Sequence, residues 1–126
     1  MTHRFDLRVY YEDTDVGGVV YYANYLRFIE RARSEMIRAL GIDQVALANE
    51  GVAFVVRRIE AEYLLPAKFD DCLAVETTVL RTTPARAVLR QRVVRDKAML
   101  FEAEVTLAAV SDGRPVRLPA ALRLLD

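Results

Sequence analysis

Tyr10-Tyr11-Glu12-Asp13-Thr14-Asp15-Val16-Gly17-Gly18-Val19-Val20-Tyr21-Tyr22-Ala23-Asn24-Tyr25-Leu26 is the stretch on which the reading of this chain turns. A short acidic run leads into a pair of glycines, then a small apolar segment, then Asn24 at the head of a helical pattern. From Asn24 to Leu40 the apolar residues Leu26, Ile29, Ala32, Met36 and Leu40 recur at steps of three and four, and Phe28 and Ile37 widen the face. That spacing predicts an amphipathic helix with Arg27, Arg31 and Arg38 on its outer side. Asn24 is the expected N-cap and Gly41 the expected stop. A helix start presents free N–H groups and positive potential, so an oxygen that turns anionic during a reaction is stabilised there. Asp15 would sit beside it.

Outward from this stretch the pattern is β. Residues 3–11 alternate, with Phe5, Leu7, Val9 and Tyr11 on one side, which predicts a half-buried first strand. Residues 43–49 suit a short helical turn before Gly51. A β-prone run then extends from Val52 to Leu65, followed by further runs at 71–82, 85–95 and 99–110, each bounded by turn residues. Residues 115–118 fit a short closing strand, and the tail from Pro119 is apolar enough to pack on the body. One long early helix followed by successive antiparallel strands indicates an α+β domain with its sheet wrapped on the helix. The 126 residues, 53% of them hydrophobic, suit one domain over the whole chain. Such a sheet has open edges and favours association, at least as a homodimer.

The formal net charge is zero, so no global attraction to nucleic acid or an anionic membrane is expected. No apolar run approaches the roughly 20 residues that span a bilayer. The single cysteine, Cys72, has no partner for an internal disulfide, and no basic-then-apolar leader precedes the first patterned segment. The expectation is a cytoplasmic protein, with Cys72 a small buried residue. His3 is the one histidine, and Ser34 and Ser111, the two serines, lie outside any Gly-x-Ser-x-Gly. His-based metal sites and Ser-His-Asp catalysis are thereby set aside, and no cofactor is implied.

The run Tyr10 to Asp15, with Gly18-Val19-Val20-Tyr21 and Asn24-Tyr25-Leu26, resembles the active-site signature of hotdog-fold acyl-CoA thioesterases. The nearest branches are the 4-hydroxybenzoyl-CoA thioesterases and the tol-pal-associated acyl-CoA thioesterases. Similarity continues more weakly through Tyr63-Leu64-Leu65-Pro66-Ala67 and Asp70-Asp71. The resemblance implies an antiparallel sheet wrapped around one long helix, acyl-CoA as substrate, and sites at subunit interfaces, often in tetramers. It implies Asp15 as the carboxylate, acting as base or nucleophile, with N–H groups around Gly18 and Tyr22 holding the oxyanion. Read without the resemblance, Asp15 is equally a turn residue ahead of Gly-Gly.

Tyr22 stands where the tol-pal branch usually has His, and here the chain resembles the 4-hydroxybenzoyl-CoA branch, in which a backbone N–H polarises the thioester carbonyl. Its side chain is otherwise an aromatic at the helix mouth. Gly17 and Gly18 permit a sharp turn and close approach to a ligand, or merely the turn. Tyr11, Asp13 and Asn24 match family positions near the site; Tyr11 would wall the acyl pocket, and the other two would hold the loop and cap the helix. Another hotdog branch uses a helix glutamate, but Glu30, flanked by Arg27, Arg31 and Arg33, reads as a surface or interface ion pair, and Glu35 lacks that branch's surrounding motif. Arg57, Lys68 and Arg86 are the expected contacts of the CoA phosphates. A binding or scaffold protein of the same fold, and a thioesterase acting on acyl carrier protein, are the alternative readings. Hotdog dehydratases need a histidine that this chain lacks at the site.

Overall fold

In the computed structural model, residues 1–123 are described. β1 (Thr2–Arg8) leads through a single 3-10 turn at Tyr11–Asp13 and the glycine loop into α1 (Asn24–Ala39) and α2 (Gln44–Asn49). Then follow β2 (Val52–Tyr63), β3 (Cys72–Thr82), β4 (Arg86–Arg95), β5 (Ala98–Ser111), β6 (Arg114–Val116) and α3 (Ala120–Arg123). The sheet is antiparallel with strand order β1-β3-β4-β5-β2, and β6 takes up pairing with β5 beyond the end of β4. This is the hotdog arrangement, with α1 lying against the concave face.

Three register shifts bend the sheet: in β2 between Val56 and Arg58, in β3 between Val79 and Arg81, and in β5 at Leu100, opposite the step from Val93 to Val94. Each extra residue tightens the local twist, and together they let the sheet curl over a helix of 16 residues. The core is where the two meet. Phe28, Ile29, Ala32, Met36 and Ile37 of α1 pack with Val75, Leu89, Val93 and Val105. Gly41 ends the helix as expected, at φ 83°, with its N–H on Arg38 C=O and Ile42 N–H reaching Ile37 C=O. The tail folds back far enough to bury Leu118 and Leu122; the last three residues of the apolar tail lie outside the described residues.

Several expectations need correction. β1 stops at Arg8, because Tyr10 N–H turns to the Asp13 carboxylate; Phe5, Leu7 and Val9 face inward as read, but Tyr11 is exposed on the 3-10 turn. Leu26 lies at the rim of the helix face, and Tyr25 takes the buried place beside Phe28. Cys72 is exposed, since β3 begins with its side chain on the outer face of the sheet and Leu73 turned inward. Arg33, counted with the surface arginines, is 7% exposed.

Arg33 is buried because it has an acceptor inside. Its Nη1 donates to Gln91 Oε1 at 3.0 Å, while Gln91 Nε2 donates to Ile29 C=O at 2.8 Å and to Thr77 Oγ1 at 3.0 Å. Burial lowers the Arg33 pKa and the field of Glu30 raises it again, and the guanidinium remains a cation at neutral pH. Gln91, fully buried, thus ties α1 to β3 and β4 at one point. Gln91→Leu keeps the volume but strands a buried cation and a helix carbonyl, and a loss of about 2–4 kcal/mol in urea unfolding is expected.

Candidate active site

The site is built on two oxygens of Asp13. Its carboxylate is 4% exposed, with Oδ2 accepting Tyr10 N–H at 2.8 Å and Oδ1 accepting Asn24 Nδ2 at 2.7 Å. Asn24 is therefore not the helix cap. Ala23 occupies the cap position, and Asn24, the first helical residue, turns its amide inward to hold the loop. The loop is a tight hairpin: Asp15 N–H donates to Val19 C=O at 2.9 Å, Tyr21 N–H to Asp13 C=O at 2.9 Å and Gly18 N–H to Asp15 C=O at 3.0 Å. Val20 N–H reaches Ala67 C=O at 2.8 Å, and Val19 bridges to Lys68, which moors the hairpin to the segment before β3.

Asp15 is at the hairpin's tip, exposed, with Oδ1 accepting Gly17 N–H at 2.8 Å. Among the described residues no donor meets Oδ2. A Cβ at Gly17 would sit 3.1 Å from Asp15 Oδ1 and push that carboxylate aside, and Gly18 is favoured by its φ of 79°. Gly18 N–H is taken by the turn, whereas Tyr22 N–H has no acceptor among the described residues. The free carboxylate oxygen is thus at the tip of the hairpin and the free N–H one residue past its closing pair.

Beside Tyr22 runs a groove of about 250 Å³ lined by Val20, Tyr22, Tyr25, Tyr63, Leu64, Leu65 and Pro66. Tyr25 forms its floor, stacked on Phe101 with centroids 5.0 Å apart and with its hydroxyl accepting Ala67 N–H at 3.1 Å. Tyr25, Tyr63 and Leu64 were not among the sequence candidates. The signal that could have found them was the aromatic-rich ends of α1 and β2, which read equally as core. Tyr11 is exposed on the far side of the loop, edge-on to Phe69 at 6.5 Å.

Of the three cations expected at the phosphates, only Lys68 is next to the loop. Arg57 falls at the bulge midway along β2, and Arg86 begins β4, at the opposite end of the sheet from the hairpin. A single chain does not bring them together, because antiparallel strands set residues at the two ends of β4 about 30 Å apart. Glu30 is exposed, and among the described residues it has no ion-pair partner; Glu35 pairs with Arg38 at 2.5 Å.

Beneath the hairpin, Asp71 Oδ2 accepts Lys68 N–H at 2.8 Å and faces Arg95 Nη1 at 2.7 Å. Burial by itself raises this carboxyl, but the Lys68 N–H, the Arg95 guanidinium and the Lys68 charge outweigh it and hold the pKa below the ordinary value. A depressed carboxylate adds stability above its unfolded pKa of about 3.9, and that stability goes as pH falls through the lower folded value. In urea titrations, Asp71→Asn is expected to be less stable than wild type at pH 7 and to lose less on acidification from about pH 5 to pH 2.

Residues 17–102 match the family described as the thioesterase superfamily. The acyl-CoA thioesterase YbgC of Haemophilus influenzae is 46% identical over 122 residues, covering 94% of this chain and 90% of that one. The acyl-CoA thioester hydrolase YbgC of Escherichia coli is 45% identical over the same length, covering 94% and 91%. The crystal structure of a probable thioesterase from Bartonella henselae superposes with a TM-score of 0.91 at 41% identity, covering 94% of this chain and 100% of that chain.

Proposed function

The chain belongs to the thioesterase superfamily, and from that premise we propose that it hydrolyses the thioester of an acyl-CoA to the free acid and CoA, with Asp15 as the catalytic carboxylate. The observation that supports this reading is the hairpin itself, which carries an unengaged Asp15 Oδ2 at its tip and leads to an unengaged N–H on Tyr22, a residue that lines an apolar groove. The acyl group lies in the groove with its carbonyl oxygen toward Tyr22 N–H. Asp15 either takes a proton from the attacking water or attacks the carbonyl carbon to form an anhydride that water then opens. Negative charge collects on the carbonyl oxygen, where the Tyr22 N–H and the start of α1 stabilise it. Collapse expels the CoA thiolate, which leaves as the thiol. Tyr11, Gly17, Gly18 and Asn24 shape and hold this loop, and Lys68 supplies a positive charge next to it. No metal or cofactor enters the scheme.

In thiol-release assays over aliphatic, hydroxylated and aromatic acyl-CoAs, Asp15→Asn is expected to lower kcat about 10³-fold with the fold intact. Full activity in that variant sinks the assignment of Asp15. Silence of the wild type over the whole panel sinks the CoA reading, and transfer of the activity to acyl carrier protein esters in the same assay identifies the carrier as the natural leaving group.

We further infer that the working unit is at least a homodimer, with tetramers as the higher form. β2 is a 12-residue edge strand with Val55 and Val56 exposed along it, a surface that folded proteins rarely leave open to water. Val16, beside Asp15, is fully exposed, and Asp15 is exposed as well. A second copy over this face would supply both the cover and the cations a single chain leaves distant. The lone Cys72 suits the reducing cytoplasm, where CoA esters are found, and among the described residues no helix is long and apolar enough to cross a membrane. Light scattering is expected to give two or four copies, and Val56→Glu to shift the mass toward one with at least a ten-fold loss of turnover, about the effect of misplacing a site by an ångström. A fully active monomer would refute the inference.

A further inference from the structure

Tyr63 ends β2, and its ring is held on three sides: by Tyr22 at 6.4 Å between centroids, Tyr25 at 5.5 Å and Phe101 at 5.0 Å. Its hydroxyl donates to the carbonyl of Tyr22 at 2.8 Å. That carbonyl precedes the helix, and Leu26 N–H, the nearest candidate in the first turn, goes instead to Ala23 C=O at 3.1 Å. Tyr63 is therefore the donor to Tyr22 C=O among the described residues. The residue so held is one whose N–H has no acceptor among the described residues. The peptide that carries the Tyr22 N–H is held through Tyr21 C=O, which accepts Asn24 N–H at 2.8 Å, and the Tyr63 hydroxyl holds the peptide on the other side of Tyr22, that of Tyr22 C=O and Ala23 N–H.

We propose that Tyr63 is a positioning residue for thioester hydrolysis, its hydroxyl locking the Tyr22 backbone so that the Tyr22 N–H is pre-set for the developing oxyanion. The inference rests on the thioesterase reading above. A donor to an oxyanion acts fully only when its direction is fixed before the charge forms, and a displacement of a fraction of an ångström already lowers the rate. Without the hydroxyl, Tyr22 C=O faces water or the groove, and the Tyr22–Ala23 peptide, joined to the plane of the Tyr22 N–H through the Tyr22 Cα alone, is free to rock and to turn that N–H with it. Burial, joined by the neighbouring Tyr22 and Tyr25 hydroxyls, raises the Tyr63 phenol above its ordinary value, so it stays a donor at neutral pH. The placement also links substrate to catalyst, since Tyr63 lines the acyl groove with its ring while holding the polarising residue with its oxygen.

The test is Tyr63→Phe, which keeps the ring and removes only the hydroxyl, measured beside wild type and Asp15→Asn on the acyl-CoA that the wild type hydrolyses best. The expected result is a kcat about ten-fold lower, with KM within about two-fold and an unfolding midpoint close to wild type. In ¹H–¹⁵N spectra the Ala23 amide, which shares a peptide plane with Tyr22 C=O, moves while core amides such as those of Leu89 and Val105 stay in place. A role confined to packing predicts wild-type kcat in the Phe variant. Wild-type kcat, or a loss that tracks unfolding, overturns the proposal even when Asp15→Asn is dead. A wild type silent on every acyl-CoA overturns the thioesterase reading and this inference with it, so the two failures are told apart by the wild-type control.

Discussion

The site depends on the burial of one carboxylate. Asp13 is taken almost wholly out of water, and a buried charge persists only where its oxygens are met. Tyr10 N–H and the Asn24 amide meet them, one from the end of β1 and the other from the first turn of α1. Strand, hairpin and helix are thereby closed into one unit around a single group. Removing either partner leaves a buried oxygen unmatched, which costs about 1–3 kcal/mol and more for a charged group. That penalty is what keeps Asp15 and Tyr22, neither of which is buried, in a fixed relation.

A second buried polar point works on the rest of the body. Apolar packing alone allows a helix to slide or rotate on a sheet for little energy, because many similar side chains can fill the same space. Gln91, bonded to Arg33, Ile29 C=O and Thr77, admits one register of α1 over β3 and β4. The Asp13 clamp fixes the helix start against the loop, and Gln91 fixes its middle against the sheet. The groove between Tyr22 and Tyr63 has the clamped loop as one wall and the end of β2 as the other, joined by the bond from the Tyr63 hydroxyl to Tyr22 C=O.

What the single chain leaves unfinished is equally physical. Tyr22 is 64% exposed and Tyr63 50%, although their rings form the groove, and the hairpin tip carries a solvated valine next to a solvated aspartate. The exposed rings and the valine are apolar surface left in water, which a cover would remove. The exposed edge and the exposed site lie along the same strand, β2, whose end supplies Tyr63. The homodimer proposed above, formed along this edge, would cover it.

The sequence by itself determined the architecture and the position of the loop. Helical spacing from Leu26 to Leu40, alternation along the later strands, and Asp15-Val16-Gly17-Gly18 ahead of Asn24 are local signals, set by backbone geometry and side-chain period, and the structure has the helix, the strands and the hairpin in those places. Where the reading slipped, the deciding partner lay far along the chain. Asn24 looked like a cap because caps are local, but it answers Asp13 instead; Arg33 looked like a surface charge until Gln91, 58 residues away, gave it an acceptor inside. Cys72 was assigned to the interior by residue type, whereas strand phase turned it outward. Arg57 and Arg86 could be named as cations, but not placed, since position across a sheet follows from register and bulges. Tertiary structure alone set Tyr63 against Tyr22, because a hydrogen bond between residues 41 apart leaves no periodic trace in the sequence.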